Sequence, residues 1–159
     1  MSLKKLTLLA VLVTLVVALE QALSYLPSVQ VTTLLIVIIS TSFDRKYSLL
    51  AVFVYVTLDN ILGGFTFLYP FMLISWSLFS LTINRFRNHN ELVLAIISLV
   101  FGLVHMIVLG IPNILIYKLK LIAYVVTDIP FTAIFMLVNF LTVLWLYSPL
   151  KKIIDMFLE

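Results

Sequence analysis

Six apolar segments, separated by short charged or turn-forming clusters, limit what this chain can fold into. They run over residues 6–26, 29–43, 47–62, 69–84, 92–111 and 127–147. A helix that spans a bilayer needs about 20 residues, within a range of about 17 to 25. Only 11% of the residues are charged, against about 25% in a typical soluble domain. The sequence therefore predicts an all-α membrane protein: one domain over residues 1–159, a compact bundle of six transmembrane helices, with segments two to four short enough to be tilted or broken.

The basic residues predict the orientation of this bundle. With a cytoplasmic N-terminus, eight of the ten Lys and Arg residues lie on the cytoplasmic side: Lys4, Lys5, Arg45, Lys46, Arg85, Arg87, Lys151 and Lys152. Only Lys118 and Lys120 lie outside, in a predicted outer loop from Pro112 to Val126. Cytoplasmic loops carry such an excess, so both termini are predicted to be cytoplasmic. Because these charges lie at membrane boundaries, the net charge of +3 does not indicate nucleic-acid binding.

The first segment also has features of a signal peptide, with two lysines before an apolar core and small residues after it. We interpret it instead as a spanning helix, because its apolar stretch is long and anchors the start of the chain inside the cell.

Polar residues gather at one depth of the predicted bundle. At 1.5 Å per residue from the cytoplasmic anchors, Glu20, Asp59, His105 and Asp128 lie in the outer third of a hydrocarbon core of about 30 Å, or at its outer edge. A charged residue inside the bilayer costs about 2.5 to 3.5 kcal/mol even on lenient scales. Four such residues in one slab predict a shared polar cavity open to the outside.

Neighbouring residues favour the same interpretation. Gly63 and Gly64 follow Asp59 and Asn60 and would let a loop bend over the cavity. In the sixth segment, one helical face carries polar side chains together with Phe135: Asp128, Thr132, Asn139 and Thr142. Trp76 and Tyr69 offer flat rings with one hydrogen-bonding group, which suits stacking on a heterocycle.

Each of these residues also has an ordinary structural interpretation. Asp128, before Ile-Pro, has the position of a helix N-cap. Asp59 and Asn60 are placed to cap a helix end, Glu20 to lie at the interface, and His105 to be a hydrogen-bonded core residue. Tyr69 and Tyr117 have the positions of aromatic belt residues.

Small residues recur every fourth position on the first segment: Ala10, Thr14, Ala18 and Ala22. Such a stripe lets another helix approach closely in lipid. It predicts either docking of a separate membrane subunit or ordinary packing within the protein.

The sequence lacks the motifs of several enzyme classes. It has no P-loop, no H-E-x-x-H and no G-x-S-x-G. His89 and His105 are predicted on opposite sides of the membrane, so they cannot share a metal, and there is no cysteine. We therefore expect no enzyme activity, no cofactor and no metal in this chain, so uphill transport would draw on a partner or an ion gradient.

Four runs, together with the helix count and the small-residue stripe, resemble those of one family: "ALEQALSYLPSVQVTTLLIVI", "LDNILGG", "YPFMLISW" and "DIPFTAIFMLVNFLTVLWLY". The chain resembles, over nearly its whole length, the substrate-binding S component of an energy-coupling-factor (ECF) type ABC transporter from Gram-positive bacteria and mollicutes.

That resemblance implies a bacterial plasma-membrane subunit that captures a micronutrient outside the cell. It implies partners too: a transmembrane coupling subunit and two ATPase subunits, which use the ATP. The family's docking motif of two alanines four residues apart matches Ala18 and Ala22, while Thr14 replaces an alanine upstream. The family's pocket lies at the outer side, where depth places Asp59, Asn60, Tyr69, Trp76, His105, Asn113, Tyr117 and Asp128.

These side chains suit a neutral or weakly cationic heterocycle with hydroxyl groups, such as a nucleoside, a queuosine-like precursor or a compact vitamin. Similar S components are also associated with cobalamin-type substrates, and few basic residues are available for an anion. Two other functions stay open: a non-transporting scaffold of the rod-shape-determining type, and a small ion-coupled carrier.

Overall fold

The computed structural model describes residues 2–158, except for the side chain of Tyr117. This part of the chain forms six helices and no strand, which confirms the all-helical prediction. The helices are α1 (Leu3–Leu23), α2 (Thr32–Ser42), α3 (Arg45–Gly63), α4 (Tyr69–Arg85), α5 (Glu91–Tyr117) and α6 (Leu121–Leu158).

Three of the helices, α1, α5 and α6, are long and apolar enough to cross a membrane. They indicate a membrane protein, because few water-soluble folds expose this much apolar helix. The fourth apolar helix, α2, has only 11 residues. At 1.5 Å per residue it is about 16 Å long, which is roughly half of a hydrocarbon core of about 30 Å.

Local sequence explains where several helices begin and end. The Ser2 side chain accepts a hydrogen bond from the Lys5 amide at the start of α1, and Asn90 accepts one from Val93 at the start of α5. Both side chains satisfy backbone donors that have no partner inside the helix. Gly64, with φ of 91°, follows α3, because few residues other than glycine adopt this backbone conformation.

The short helix α2 is the centre of the bundle. Every residue from Thr32 to Ser40 is buried, and α2 packs against α1, α3, α4 and α6. Its middle, residues 34–39, is apolar around the whole circumference, which is typical of a helix enclosed on all sides. Hydrogen bonds hold its C-terminal end: Ser40 Oγ lies 2.8 Å from Ser80 Oγ, and Asn84 donates to the Ser40 carbonyl at 2.9 Å.

The predicted ends of the last two segments are wrong. The expected outer loop from Pro112 to Val126 is helical except for residues 118–120, and α6 continues through Pro130 and Pro149. A proline removes one backbone hydrogen bond, but in membrane helices contacts with neighbouring helices compensate for the loss. Here α5 and α6 pack side by side along their lengths, so both helices extend past their prolines.

Candidate functional site

A cavity of about 220 Å³ lies between α5, α6 and the connection from α1 to α2. Its polar lining combines the connection with both helices: Ser28, Gln30, His105, Tyr124, Asp128 and Thr132. Its apolar wall includes Met106, Leu109, Phe131 and Phe135. The cavity is therefore a mixed aromatic and polar chamber, in which apolar surface and hydrogen-bonding groups both form the wall, as they do in small-molecule sites.

His105 is held in one orientation by its surroundings. Its Nδ1 lies 2.8 Å from the hydroxyl oxygen of Ser75, a side chain with no exposed surface. Its ring packs among three aromatic rings, with centroid distances of 5.5 Å to Trp76, 5.3 Å to Phe101 and 5.7 Å to Phe135. Because Nδ1 is hydrogen-bonded to Ser75, Nε2 is the ring nitrogen available to a ligand in the cavity.

Asp128 lies inside α6, seven residues after its start, so the N-cap interpretation of this residue is wrong. The Thr132 hydroxyl, one helical turn later, donates to Asp128 Oδ2 at 2.7 Å. The nearby Tyr124 hydroxyl donates instead to the Met106 carbonyl at 3.4 Å. The Asp128 carboxylate is thus oriented by Thr132, and the tyrosine hydroxyl donates to the backbone instead of to it.

Two glycines of α5 set how closely α6 approaches the cavity. A Cβ atom on Gly102 would lie 2.5 Å from Met136 Cγ, and one on Gly110 would lie 2.6 Å from Tyr124 Cε1. Both separations are shorter than van der Waals contact. Glycine at these two positions therefore lets the α5 backbone pack directly on α6 side chains.

Beside the cavity, α1, α2 and α3 form a second polar cluster, made of Glu20, Gln21, Gln30, Thr32 and Asp59. The Glu20 carboxylate accepts a short hydrogen bond from the Thr32 hydroxyl. With its amide nitrogen turned toward Glu20, Gln30 donates to both carboxylate oxygens, at 2.7 and 3.0 Å. Gln21 donates to Asp59 Oδ1 at 3.3 Å. Gln30 belongs to this cluster and to the cavity wall, so it joins the two.

Comparisons of the chain with protein-family models, curated proteins and solved structures found no significant match. Within residues 2–158, no group of three or more His, Asp or Glu residues is placed to hold a metal ion.

The structure separates the residues that sequence depth grouped together. His105 and Asp128 line the cavity, and Trp76 lies behind His105 with 1% of its surface exposed. Asp59 lies in the second cluster, bonded to Gln21. The Tyr117 side chain lies outside the described part of the structure.

Three further predicted residues make local contacts. Asn60 donates to the Val56 carbonyl and Asn113 to the Leu109 carbonyl, both at 2.9 Å and both within their own helix. The Tyr69 hydroxyl lies 2.9 Å from the Thr57 hydroxyl oxygen, which ties α4 to α3. None of the three is among the residues that line the cavity.

The sequence did not predict four of the lining residues, which are Ser28, Gln30, Tyr124 and Phe131. Tyr124 and Phe131 precede Asp128 and Phe135 by four residues, so the polar and aromatic face of α6 extends back to them. Because the sequence predicted a loop up to Val126, Tyr124 was not assigned to this helical face.

The small-residue stripe on α1 faces outward. Ala10, Thr14, Ala18 and Ala22 are all exposed, so close packing within this chain does not explain the stripe. Ala10 and Thr14 border an apolar groove between α1 and α3, which has a volume of about 230 Å³.

Proposed function

We propose that the protein is the substrate-binding S component of an ECF-type transporter in the plasma membrane of a bacterium. In this role it binds a micronutrient, a vitamin or nucleoside-like heterocycle, at the extracellular side and delivers it to the cytoplasm. Delivery requires docking and reorientation on a transmembrane coupling subunit whose two ATPase partners hydrolyse ATP.

The cavity between α5 and α6 is the observation that carries this proposal. It combines an oriented imidazole, an oriented carboxylate and two phenylalanine rings in one small chamber. A protein that served only as a scaffold would gain nothing from keeping an Asp and a His at this depth, since polar groups in membrane segments are costly.

The position of the cavity relative to the helix ends supports an extracellular opening. Its lining includes Ser28 and Gln30 from the α1–α2 connection, and Tyr124 near the start of α6. With six spans and cytoplasmic termini, as the positive-inside distribution favours, these positions lie on the outer side of the membrane.

The exposed stripe on α1 supports docking on another membrane protein. In lipid, helices associate through close van der Waals packing, which small residues permit. Because the stripe is on the outer surface of the bundle, a helix of the coupling subunit can pack against it without rearrangement of the core.

The cavity volume favours a compact substrate. At about 220 Å³, it is below the range of about 300 to 1,000 Å³ typical of pockets for drug-sized ligands. A corrinoid of the cobalamin type is far larger than this volume, so a single ring system or a small fused heterocycle is favoured.

Mass spectrometry of small molecules that copurify with the protein tests the proposal most directly. We expect one compact heterocyclic micronutrient, bound in a ratio of about one to one and released when the protein is denatured. The same compound, added back, should raise the thermal unfolding midpoint, because a ligand that binds only the folded state stabilises it.

The two other functions predict different results. A rod-shape-type scaffold gives no copurifying compound and no thermal stabilisation by vitamins or nucleosides. A small ion-coupled carrier transports its substrate into liposomes under an ion gradient alone, without the ATPase subunits. Either result would contradict the assignment as an S component.

A further inference from the structure

We infer that the cavity selects an organic cation: a flat nitrogen heterocycle that bears a protonated amine, with Asp128 as its counter-ion. This inference rests on the proposed function, and it names the charge class of the substrate that the site accepts and the class that it rejects.

The charges of the cavity lining disfavour an anionic ligand. Among the described side chains that line the cavity, Asp128 is the one carboxylate, and none is Lys or Arg. Lys118 and Lys120, in the connection from α5 to α6, do not line it. A bound carboxylate or phosphate would therefore lie near Asp128 with no cation to compensate, and like charges repel strongly in a medium of low dielectric constant.

The hydrogen bonds of Asp128 favour a cationic ligand as its partner. Thr132 engages only Oδ2, and among the side chains that the structure describes, none donates to Oδ1. A half-buried carboxylate without a cationic partner is stabilised when a ligand supplies one, especially through a charge-assisted hydrogen bond. Thr132 also fixes the carboxylate in position, so little ordering is needed on binding.

The aromatic residues of the cavity wall suit a flat, cationic ligand. Phe131 and Phe135 lie on the same side of α6 as Asp128, and the ring centroids of His105 and Phe135 are 5.7 Å apart. Aromatic faces attract cations as well as flat rings. His105 Nε2 then offers a hydrogen bond to a ring nitrogen or hydroxyl group of the same ligand, and the Gln30 amide oxygen accepts one from an N–H or O–H group, since its nitrogen is bonded to Glu20.

Three probes that share the same ring system but differ in charge test the inference: tryptamine, tryptophol and indoleacetate. Each carries an indole ring and a short side chain, ending in an ammonium, a hydroxyl or a carboxylate group. Binding is measured by equilibrium dialysis on protein in lipid nanodiscs, with empty nanodiscs subtracted to remove partitioning into lipid. We expect tryptamine to bind most tightly, tryptophol more weakly and indoleacetate not measurably.

Substitution of Asp128 tests the counter-ion. Asp128→Asn keeps an oxygen for Thr132 but removes the charge, so it should weaken tryptamine binding about tenfold or more while tryptophol changes little. Asp128→Glu should keep the preference for the cation. Asp155→Asn is the matched control, because this carboxylate lies on the same helix, pairs with Lys151 and is remote from the cavity. Circular dichroism and gel filtration establish that each variant is folded.

Three results would overturn the inference. They are indoleacetate binding as tightly as tryptamine, Asp128→Asn binding tryptamine like the parent protein, and no binding by any of the three probes. If a compact copurifying micronutrient is found nevertheless, the S-component proposal survives and only the charge selectivity fails. If no micronutrient is found and only tryptamine binds, the cavity is cation-selective but the transport proposal fails.

Discussion

Gly110 shows how a single residue sets the position of a side chain that lines the cavity. The Tyr124 ring occupies the space where a side chain at position 110 would begin, 2.6 Å from a Cβ atom placed there. Gly102 has an equally close neighbour in Met136, whose backbone nitrogen and Cα atoms also lie 3.3 Å from a Cβ atom placed there. An added methyl group at Gly102 would therefore press on the α6 backbone, whereas at Gly110 it would press on the Tyr124 ring, which lines the cavity.

We expect Gly110→Ala to lower stability by about 1 to 3 kcal/mol, because overpacking forces α5 and Tyr124 apart. It should also weaken binding of the copurifying compound, since Tyr124 lines the cavity. Thermal unfolding and dialysis on the purified protein measure both effects. Gly63→Ala is the control, because nothing lies within 4 Å of a Cβ atom at that position. Equal effects at both glycines would contradict this explanation.

At the scale of the helices, Glu20 links α1 to the start of α2. Its carboxylate accepts hydrogen bonds from Thr32, which is fully buried, and from Gln30, which lines the cavity. A buried donor that loses its acceptor costs about 1 to 3 kcal/mol. The connection between the two helices is therefore held in place from the α1 side.

Glu20→Ala should lower the thermal unfolding midpoint, because it leaves the donors of Thr32 and Gln30 without their acceptor. Glu20→Gln should recover part of the loss, since its carbonyl oxygen accepts one of the two bonds. The control is Thr7→Ala on the same helix, where the hydroxyl bonds only to the exposed Leu3 carbonyl. Identical midpoints for Glu20→Ala and Thr7→Ala would exclude a structural role for the Glu20 hydrogen bonds.

The stripe on α1 makes a separate prediction about assembly. Ala18→Leu combined with Ala22→Leu should block close helix packing and abolish copurification with an ATPase-containing complex from native membranes. Ligand binding should stay unchanged, because neither alanine lines the cavity. Ala133→Leu adds the same bulk at an exposed position on α6 and should leave assembly intact. A double variant that still assembles would place the docking surface elsewhere.

At the scale of the whole molecule, the six spans and the sides of the membrane are predictions from the apolar segments and the basic residues. Since the chain has no cysteine, single introduced cysteines report their accessibility without background. Leu119→Cys, between α5 and α6, should react with an impermeant thiol reagent added to intact cells. Asn88→Cys, between α4 and α5, should react only after permeabilisation. Labelling of Asn88→Cys in intact cells would contradict the six-span topology.

The sequence predicted the helices better than their ends. Starts and ends of α1 to α4 lie within about three residues of the predicted segments, because charged clusters and glycines mark them. The ends of α5 and α6 were wrong because Pro112, Pro130 and Pro149 indicate helix ends in water. In this bundle, packing between the two helices outweighs the loss of individual backbone hydrogen bonds.

What the sequence by itself determined is the all-helical class of the protein and its six helices, while the depth of its polar residues stays a prediction from helical rise and the basic residues. Tertiary structure decided which of those residues meet. Asp59 and Asp128 are both predicted toward the outer side, but no described residue of α3 lines the cavity, so the first bonds to Gln21 and the second lines the cavity with His105. Helical periodicity fixes which residues share a face of one helix, whereas only the packing of helices on one another fixes which faces meet.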